Sequence, residues 1–347
     1  MRVLGSVASR RTRKAIALSH ESTPNITIYP WATGFGTKYA NPAVPPASSG
    51  RDVDFDKAGR SLVVANANTS PYISGYQWFE GFSTKYADPA TLPAGSAFGI
   101  DFNSLDSEVA IAHNGSPRVS VYAWTYASGF GTKYANPATL PTGDGDDVAF
   151  NYNSSYIAVG HQTTPYISVY PWTVGTGFGT KVSNPGTLPG GEAKRLDWRS
   201  ATSQTDLGAA LGTGSGATDG YAIPFVTSFG SRYALAVGLN ATGQGFRFTK
   251  SGTQCGFSTN NSPFQYGYPF TTGTGFGTKY ADPASLPSGL GIGIDFDDTT
   301  AFVAVGGRTS PYLEIYDWGG SGFGSKYSNP ATLPGGGGNN PRWFPSY

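Results

Sequence analysis

The stretch Gly129–Pro141, GFGTKYANPATLP, sets the period of this chain. Variants of it begin at Gly34, Gly81, Gly177, Ser228, Gly275 and Gly322, so seven copies follow one another at intervals of 47, 48, 48, 51, 47 and 47 residues. A fixed period of that size marks a solenoid, a propeller or an array, in which each unit buries its apolar face only against its neighbours.

The stretch around the fourth copy shows how one unit folds. Asp147–Phe150 reads as a short strand, Asn151–Ser155 as a polar turn, and Tyr156–His161 as a second strand. Gln162–Pro165 turns into a third strand, Tyr166–Trp172, and Gly177–Lys181 forms a fourth before Asn184-Pro185 closes the unit. Short runs rich in β-branched and aromatic residues, bounded by Gly, Pro, Asn and Ser, are strand and hairpin signals. Helical hairpins are excluded by the density of Gly and Pro, which cost a helix interior about 1 and about 3 kcal/mol each. Four antiparallel strands in about 47 residues describe a propeller blade. The reading is all-β: a single seven-bladed β-propeller, four antiparallel strands per blade.

The ends complete the ring. Ala15–His20 matches a second strand and Thr23–Trp31 a third, while Arg342-Trp343-Phe344 matches a first strand such as Ile294-Asp295-Phe296. Blade 1 is therefore expected to be split between 15–45 and 335–347, with blades 2 to 7 at about 51–93, 97–141, 146–189, 193–240, 244–287 and 292–334. Pairing the two ends removes the exposed edges of an open array. Residues 1–14, with Arg2, Arg10, Arg11, Arg13 and Lys14 and no acid, read as a basic arm.

Composition narrows the role. The formal charge of +1 speaks against a nucleic-acid or membrane surface as the main partner. Gly and Pro make up 74 of 347 residues, and 49 aromatic residues supply ample core area. Cys255 is the only cysteine, so no intrachain disulfide forms. The opening MRVLGSVASRRTRK lacks an apolar run of signal-peptide length, and no stretch approaches about 20 apolar residues.

The order D-V-A-F, polar turn, Y-I-A-V, turn, I-S-V-Y-x-W resembles WD40-type propellers, although Trp31, Trp78, Trp124, Trp172 and Trp318 are not followed by Asp. The GFGTKYANPATLP and SPYISVYPW repeats resemble WD40-like propeller proteins of tailed bacteriophages, over about residues 15–347. That resemblance implies a non-enzymatic virion component, a capsid decoration or tail-associated scaffold. Its partners would be other virion proteins or a host surface receptor, with oligomeric state set by the assembly. It implies a virion location, or otherwise a cytoplasmic one.

Repeated residues have structural explanations. The cations Lys38, Lys85, Lys133, Lys181, Arg232, Lys279 and Lys326 fall one per fourth strand, where charge blocks edge-to-edge pairing. Asp54, Asp101, Asp197 and Asp295 precede the aromatic of the innermost strand and are the weak axial candidates for a cation. Ala149, Arg247 and Trp343 are read at that place in the other blades, and an Asp capping neighbouring backbone N–H groups explains the carboxylates equally well. His20, His113 and His161 lie four residues before a Pro, with Ala67 and Gly307 read at the equivalent place in blades 2 and 7. They are expected to be satisfied in turns, because zinc bonds of about 2 Å cannot span separate blades. No nucleophile elbow, glycosidase carboxylate pair or phosphate loop is present, so no catalytic residue, metal or cofactor is assigned.

The repeat breaks in blades 5 and 6, where Ala217–Phe225 lacks Ser-Pro and Trp, Ser228–Asn240 stands as the fourth strand, and Ser251–Asn261 is polar. A partner read in one orientation needs such asymmetry. The expected docking residues are Trp198, Arg199, Asp219, Tyr221, Arg232, Tyr233, Arg247 and Phe257. Two other roles are weighed: a glycan or receptor adhesin using Tyr72, Tyr166 and Tyr312, and a propeller hydrolase or lactonase with an axial metal.

Overall fold

The computed structural model describes residues 14–199, 205–212, 220–239 and 242–345. Every regular element among them is a strand, and the strands form seven antiparallel sheets packed round one axis as a seven-bladed β-propeller. In the blade read most closely from sequence, strands run outward in chain order as Gly145–Phe150, Tyr156–His161, Ile167–Thr173 and Gly177–Phe178. The fourth is shorter than expected. Beyond Phe178 the Gly179 and Val182 amides still reach the Pro171 and Val169 carbonyls at 2.8 Å, but not as a regular ladder.

Among the described residues five blades have four strands and two have three. In blades 1 and 5 the fourth strand is reduced to a single bridge, Trp31 to Phe35 and Phe225 to Phe229. The strand expected over Ser228–Asn240 is thus not formed among its described residues, although the Gly230 and Tyr233 amides bond back to Pro224 and Ala222.

The innermost strands are Gly50–Phe55, Ala97–Phe102, Gly145–Phe150, Ala193–Trp198, Gly243–Phe248, Gly291–Phe296 and Gly338–Trp343. The last closes the ring by pairing antiparallel with Lys14–His20, Trp343 opposite Ile16 and Arg342 opposite Ala17. Lys14, counted with the basic arm in the sequence reading, begins this strand and forms an ion pair with Asp297 at 2.6 Å. Arg2, Arg10, Arg11 and Arg13 lie outside the described residues.

The repeated motif is an inter-blade lock. Its Phe packs edge-on against the Trp of its own third strand, and its Tyr against the Trp of the next blade. For Trp124 those partners are Phe130 at 5.0 Å and Tyr86 at 5.1 Å; for Trp172 they are Phe178 at 4.9 Å and Tyr134 at 5.2 Å. Each such pair is worth about 0.5–1.5 kcal/mol beyond the area it buries. Gly129 opens the motif at φ +75°, where a Cβ would lie 2.5 Å from the Tyr86 ring, so both dihedral and space require glycine. A second lock runs from the buried third-strand tyrosines: the hydroxyls of Tyr29, Tyr76 and Tyr170 donate to the Thr332, Val44 and Thr139 carbonyls of the loop leading in from the preceding blade.

Candidate functional site

Strand residues alternate faces. In the innermost strands the residue before the aromatic faces the axis, giving a ring of Asp54, Asp101, Ala149, Asp197, Arg247, Asp295 and Arg342 in blade order. Pairing of Trp343 with Ile16 puts Trp343 in register with the phenylalanines, so the ring member from the last strand is Arg342, one residue earlier than read from sequence.

Each ring carboxylate spends one oxygen on the next blade. Oδ2 of Asp54, Asp101, Asp197 and Asp295 accepts from the amides of Phe102, Phe150, Phe248 and Trp343 at 3.0, 2.7, 2.8 and 2.7 Å. The other oxygen faces a cation. Asp54 Oδ1 is 3.0 Å from Arg342 Nε, and Asp101 Oδ1 is 3.5 Å from Lys57 Nζ. Asp197 Oδ1 is 3.7 Å from Arg247, and Asp295 Oδ1 stands 3.8 and 3.9 Å from Arg247 and Arg342.

Four carboxylates face three cations in a site partly closed to water, Lys57 being the most exposed of them, and their titration splits accordingly. Burial pushes Asp101 up to about 6 against the pull of Lys57, and Asp295 up to about 6 against Arg342 and Arg247. Burial also raises Asp197. Asp54 goes the other way, because Arg342 and Lys57 outweigh the cost of burying it. Burial works against the charge of Arg342, but Asp54 and Asp295 more than compensate and hold the guanidinium protonated.

Lys57, Asp101, Asp197, Arg247, Asp295 and Arg342 line an axial cavity of about 370 Å³ on the face of the first hairpin turns. The volume suits a small molecule of monosaccharide size. Its wall also includes Phe150, Tyr152, Trp198, Lys250 and Asp298. As a cation site the ring is poorly suited, since Lys57, Arg247 and Arg342 occupy the space between the carboxylates. Among the described residues no group of three His, Cys, Asp or Glu side chains is placed to hold a metal.

The histidines are apart from one another and fully buried. Nε2 of His20, His113 and His161 bonds the Thr27, Ser120 and Ser168 hydroxyls at 2.9, 3.0 and 3.1 Å. Register places Asn66, not Ala67, at this position in blade 2, and its Nδ2 donates to Ser74. The repeated lysines are clipped to a side chain three residues on, Lys85 to Asp88 and Lys279 to Asp282 at 2.7 Å. Lys326 instead pairs with Glu314.

The expected docking residues do not form a face. Trp198, Tyr221, Tyr233 and Phe257 are buried, the break in the repeat having been absorbed into inter-blade core. Arg199 pairs with buried Asp206 at 2.6 Å, and Arg247 belongs to the axial ring. Arg232 lines a separate shallow groove with Tyr233 and Gly273, and Asp219 lies outside the described residues. The tyrosines weighed as a sugar platform, Tyr72, Tyr166 and Tyr312, are half-buried, and Tyr72 and Tyr312 pack on core clusters. Sequence missed Lys57 and Arg342. Only the ring geometry shows that they stand between its carboxylates.

No family model matches the chain, and no curated protein is similar to it. Solved structures are. A candidate 6-phosphogluconolactonase of Bacteroides fragilis superposes with a TM-score of 0.77 at 10% identity, covering 97% of this chain and 99% of that one. A candidate 6-phosphogluconolactonase of Bacteroides uniformis gives 0.73 at 12% identity over 96% and 100%. The periplasmic gluconolactonase of Pseudomonas aeruginosa gives 0.69 at 13% identity over 95% and 99%. At such identities the likeness establishes a shared seven-bladed architecture. The expectation of a non-enzymatic virion scaffold does not stand against these three matches, which span nearly the whole chain and are described as lactonases.

Proposed function

We propose that this chain is a lactonase-type hydrolase whose active site is the axial cavity. One observation carries the reading: Asp101, a carboxylate largely but not wholly shielded from water and raised to about 6, faces Lys57 at 3.5 Å in a small cavity that also holds two guanidiniums. A general base works best with a pKa near the operating pH. In ring opening, Asp101 Oδ1 takes a proton from the attacking water while the water oxygen bonds to the lactone carbonyl carbon. Arg247 and Arg342 oppose the charge that develops on the carbonyl oxygen. The acyl–oxygen bond of the ring then breaks, and Asp101 returns the proton to the departing ring oxygen, leaving a free hydroxy acid. The full-length neighbours described as lactonases support the same reading.

The test is continuous proton release from a panel of δ- and γ-lactones, including glucono-δ-lactone, with purified protein. Opening faster than in buffer, and its loss in Asp101→Asn, is the expected result. A panel opened no faster than in buffer would sink the reading.

A further inference from the structure

Lys57 enters the axial ring from a turn, not from a strand, and its side chain is 45% exposed. A flexible four-carbon stem on a surface turn spreads over many rotamers unless the backbone beneath it is fixed. In the turn 56–61, the Asp56 carbonyl takes the Gly59 amide and its carboxylate takes those of Arg60 and Ser61. The amides of Lys57 and Ala58 are left. Both donate across the blade interface to Asp106, at 2.5 Å to Oδ1 and 2.8 Å to Oδ2.

Asp106 stands fourth after the aromatic of its blade's first strand. Gly59, Ser154, Gly252 and Thr300 hold that place in the other described turns, and all five have φ between +55° and +67°. Ser154 reaches back from blade 4 in the same way, its hydroxyl 2.8 Å from the Ser104 amide, but Ser104 carries no charge toward the axis. Among the described residues, only where blades 2 and 3 meet does a carboxylate at this place hold a turn whose side chain stands against a ring carboxylate. Lys57 Nζ lies there 3.5 Å from Asp101 and 3.7 Å from Asp54.

We propose that Asp106 is a positioning residue for the base: its grip on the blade 2 turn keeps Lys57 beside Asp101. This rests on the lactonase reading only for what Asp101 does with its proton. Burial favours the protonated form of Asp101. Lys57, Arg342 and the Phe150 amide favour the carboxylate, and Asp54 sides with burial. Lys57 in turn faces Asp54, Asp101, Arg342 and Asp106. Asp197, Arg247 and Asp295 belong to the other blades of the ring. Asp54 and Arg342 hold each other at 3.0 Å without the turn, so the ionisation of Asp101 follows the place of Lys57. Releasing the turn lets the ammonium move out into water, and Asp101 then keeps its proton to higher pH.

Carbon-13 NMR of the aspartate carboxyls in the full, substrate-free chain tests this without catalysis, with Asp101→Asn to assign the signal. Lys57→Met should raise the titration midpoint of Asp101 by about one pH unit. Asp106→Ala should raise it at least half as far. Asp106→Asn, which keeps one acceptor oxygen, should fall between Asp106→Ala and wild type. The sign is decisive, because removing the Asp106 charge alone takes away a like charge and would lower the midpoint. A midpoint unmoved or lowered in Asp106→Ala, or unmoved in Lys57→Met, would overturn the proposal. An unopened lactone panel would sink the lactonase reading, while these midpoints would still decide what Asp106 holds in place.

Discussion

Asp101, partly shielded in the axial cavity, and His113, fully buried, shift in opposite directions. Asn at position 101 can still accept the Phe150 amide through its side-chain oxygen, so Asp101→Asn should fold while losing the base. Loss of a general base is worth about two to four orders of magnitude in kcat. For wild type, kcat/KM should rise as pH passes through about 6 and then level, because the ionised carboxylate is the active form. A flat profile between pH 5 and 8 would remove Asp101 from the mechanism.

His113 is driven down from 6.5 to about 4, burial outweighing a hydrogen bond at the Gly115 backbone that acts the other way. The unfolded chain therefore holds more protons than the fold between pH 6.5 and 4. The stability tied to this neutral histidine is complete above pH 6.5 and is lost as pH falls toward 4. Asp101 and Asp295, raised from 3.8 to about 6, contribute with the opposite sign: their share is present at low pH and is lost as pH rises through about 6. His113→Gln can keep the bond to Ser120 and has no proton to gain. Its melting temperature relative to wild type should be more favourable at pH 4.5 than at pH 7.5, and an unchanged difference would show that His113 is not the group titrating.

Among the strands, the position that opens the second strand distinguishes one blade interface from another. In blade 3 it is Glu108, fully buried, whose carboxylate accepts from Trp172 Nε1 at 2.7 Å, the Gly175 amide at 2.8 Å, the Tyr134 hydroxyl at 2.9 Å and Asn103 Nδ2 at 2.8 Å. In blade 6 Gln254 takes Trp318 Nε1 at 2.9 Å, and near the start of the second strand in blade 5 Asp206 takes the Tyr233 and Thr272 hydroxyls. Similar repeats thus carry different keys, which fix which blade sits beside which. Glu108→Ala leaves several buried donors without an acceptor, each worth about 1–3 kcal/mol, so denaturant unfolding should register a loss of about 3–5 kcal/mol. Glu108→Gln, which keeps one acceptor oxygen, should lose less than half of that. Equal effects of the two would mean that the cavity left by truncation dominates.

The blade grammar was legible because it is local: strand, turn and aromatic lock recur within 47 residues and need no partner to be read. Glu108 has no glutamate at the same place in blades 5 and 6, where Asp206 and Gln254 stand, and its role depends on Trp172 arriving from the next blade. Trp198, Tyr221 and Phe257 were misread for a related reason. Departure from the consensus reads as a surface for a partner, whereas Trp198 and Tyr221 fill the core between blades 4 and 5 and Phe257 the core between blades 5 and 6. The axial ring was half legible. Its carboxylates and Arg247 stand at this place in the sequence repeat, but Arg342 depends on the register of the closing strand and Lys57 reaches in from the turn after Phe55.

At the scale of the whole molecule, closure and cavity are one structure. Gly338–Trp343 both completes the first blade and delivers Arg342, which bonds Asp54 from blade 2 and Asp295 from blade 7. Removing residues 338–347 should abolish lactone opening and leave blades 2 and 7 each with an unpaired neighbour, seen as a broadened, less cooperative melt. A truncated chain with wild-type activity would exclude Arg342 from the site.

That closing strand meets its partner across a sequence separation of 321 residues at Ser19 and Asn340, whereas the strands within each other blade lie on one continuous stretch. Joining such distant segments costs more entropy than joining neighbours, and strands at the chain ends are among the parts of a fold that open first. Heat should therefore act on this protein in two stages, catalysis failing at the seam while most of the sheet remains intact. Activity lost several degrees below the loss of far-ultraviolet circular dichroism would be the sign of it, and the working temperature of the proposed lactonase would then be set by a single strand.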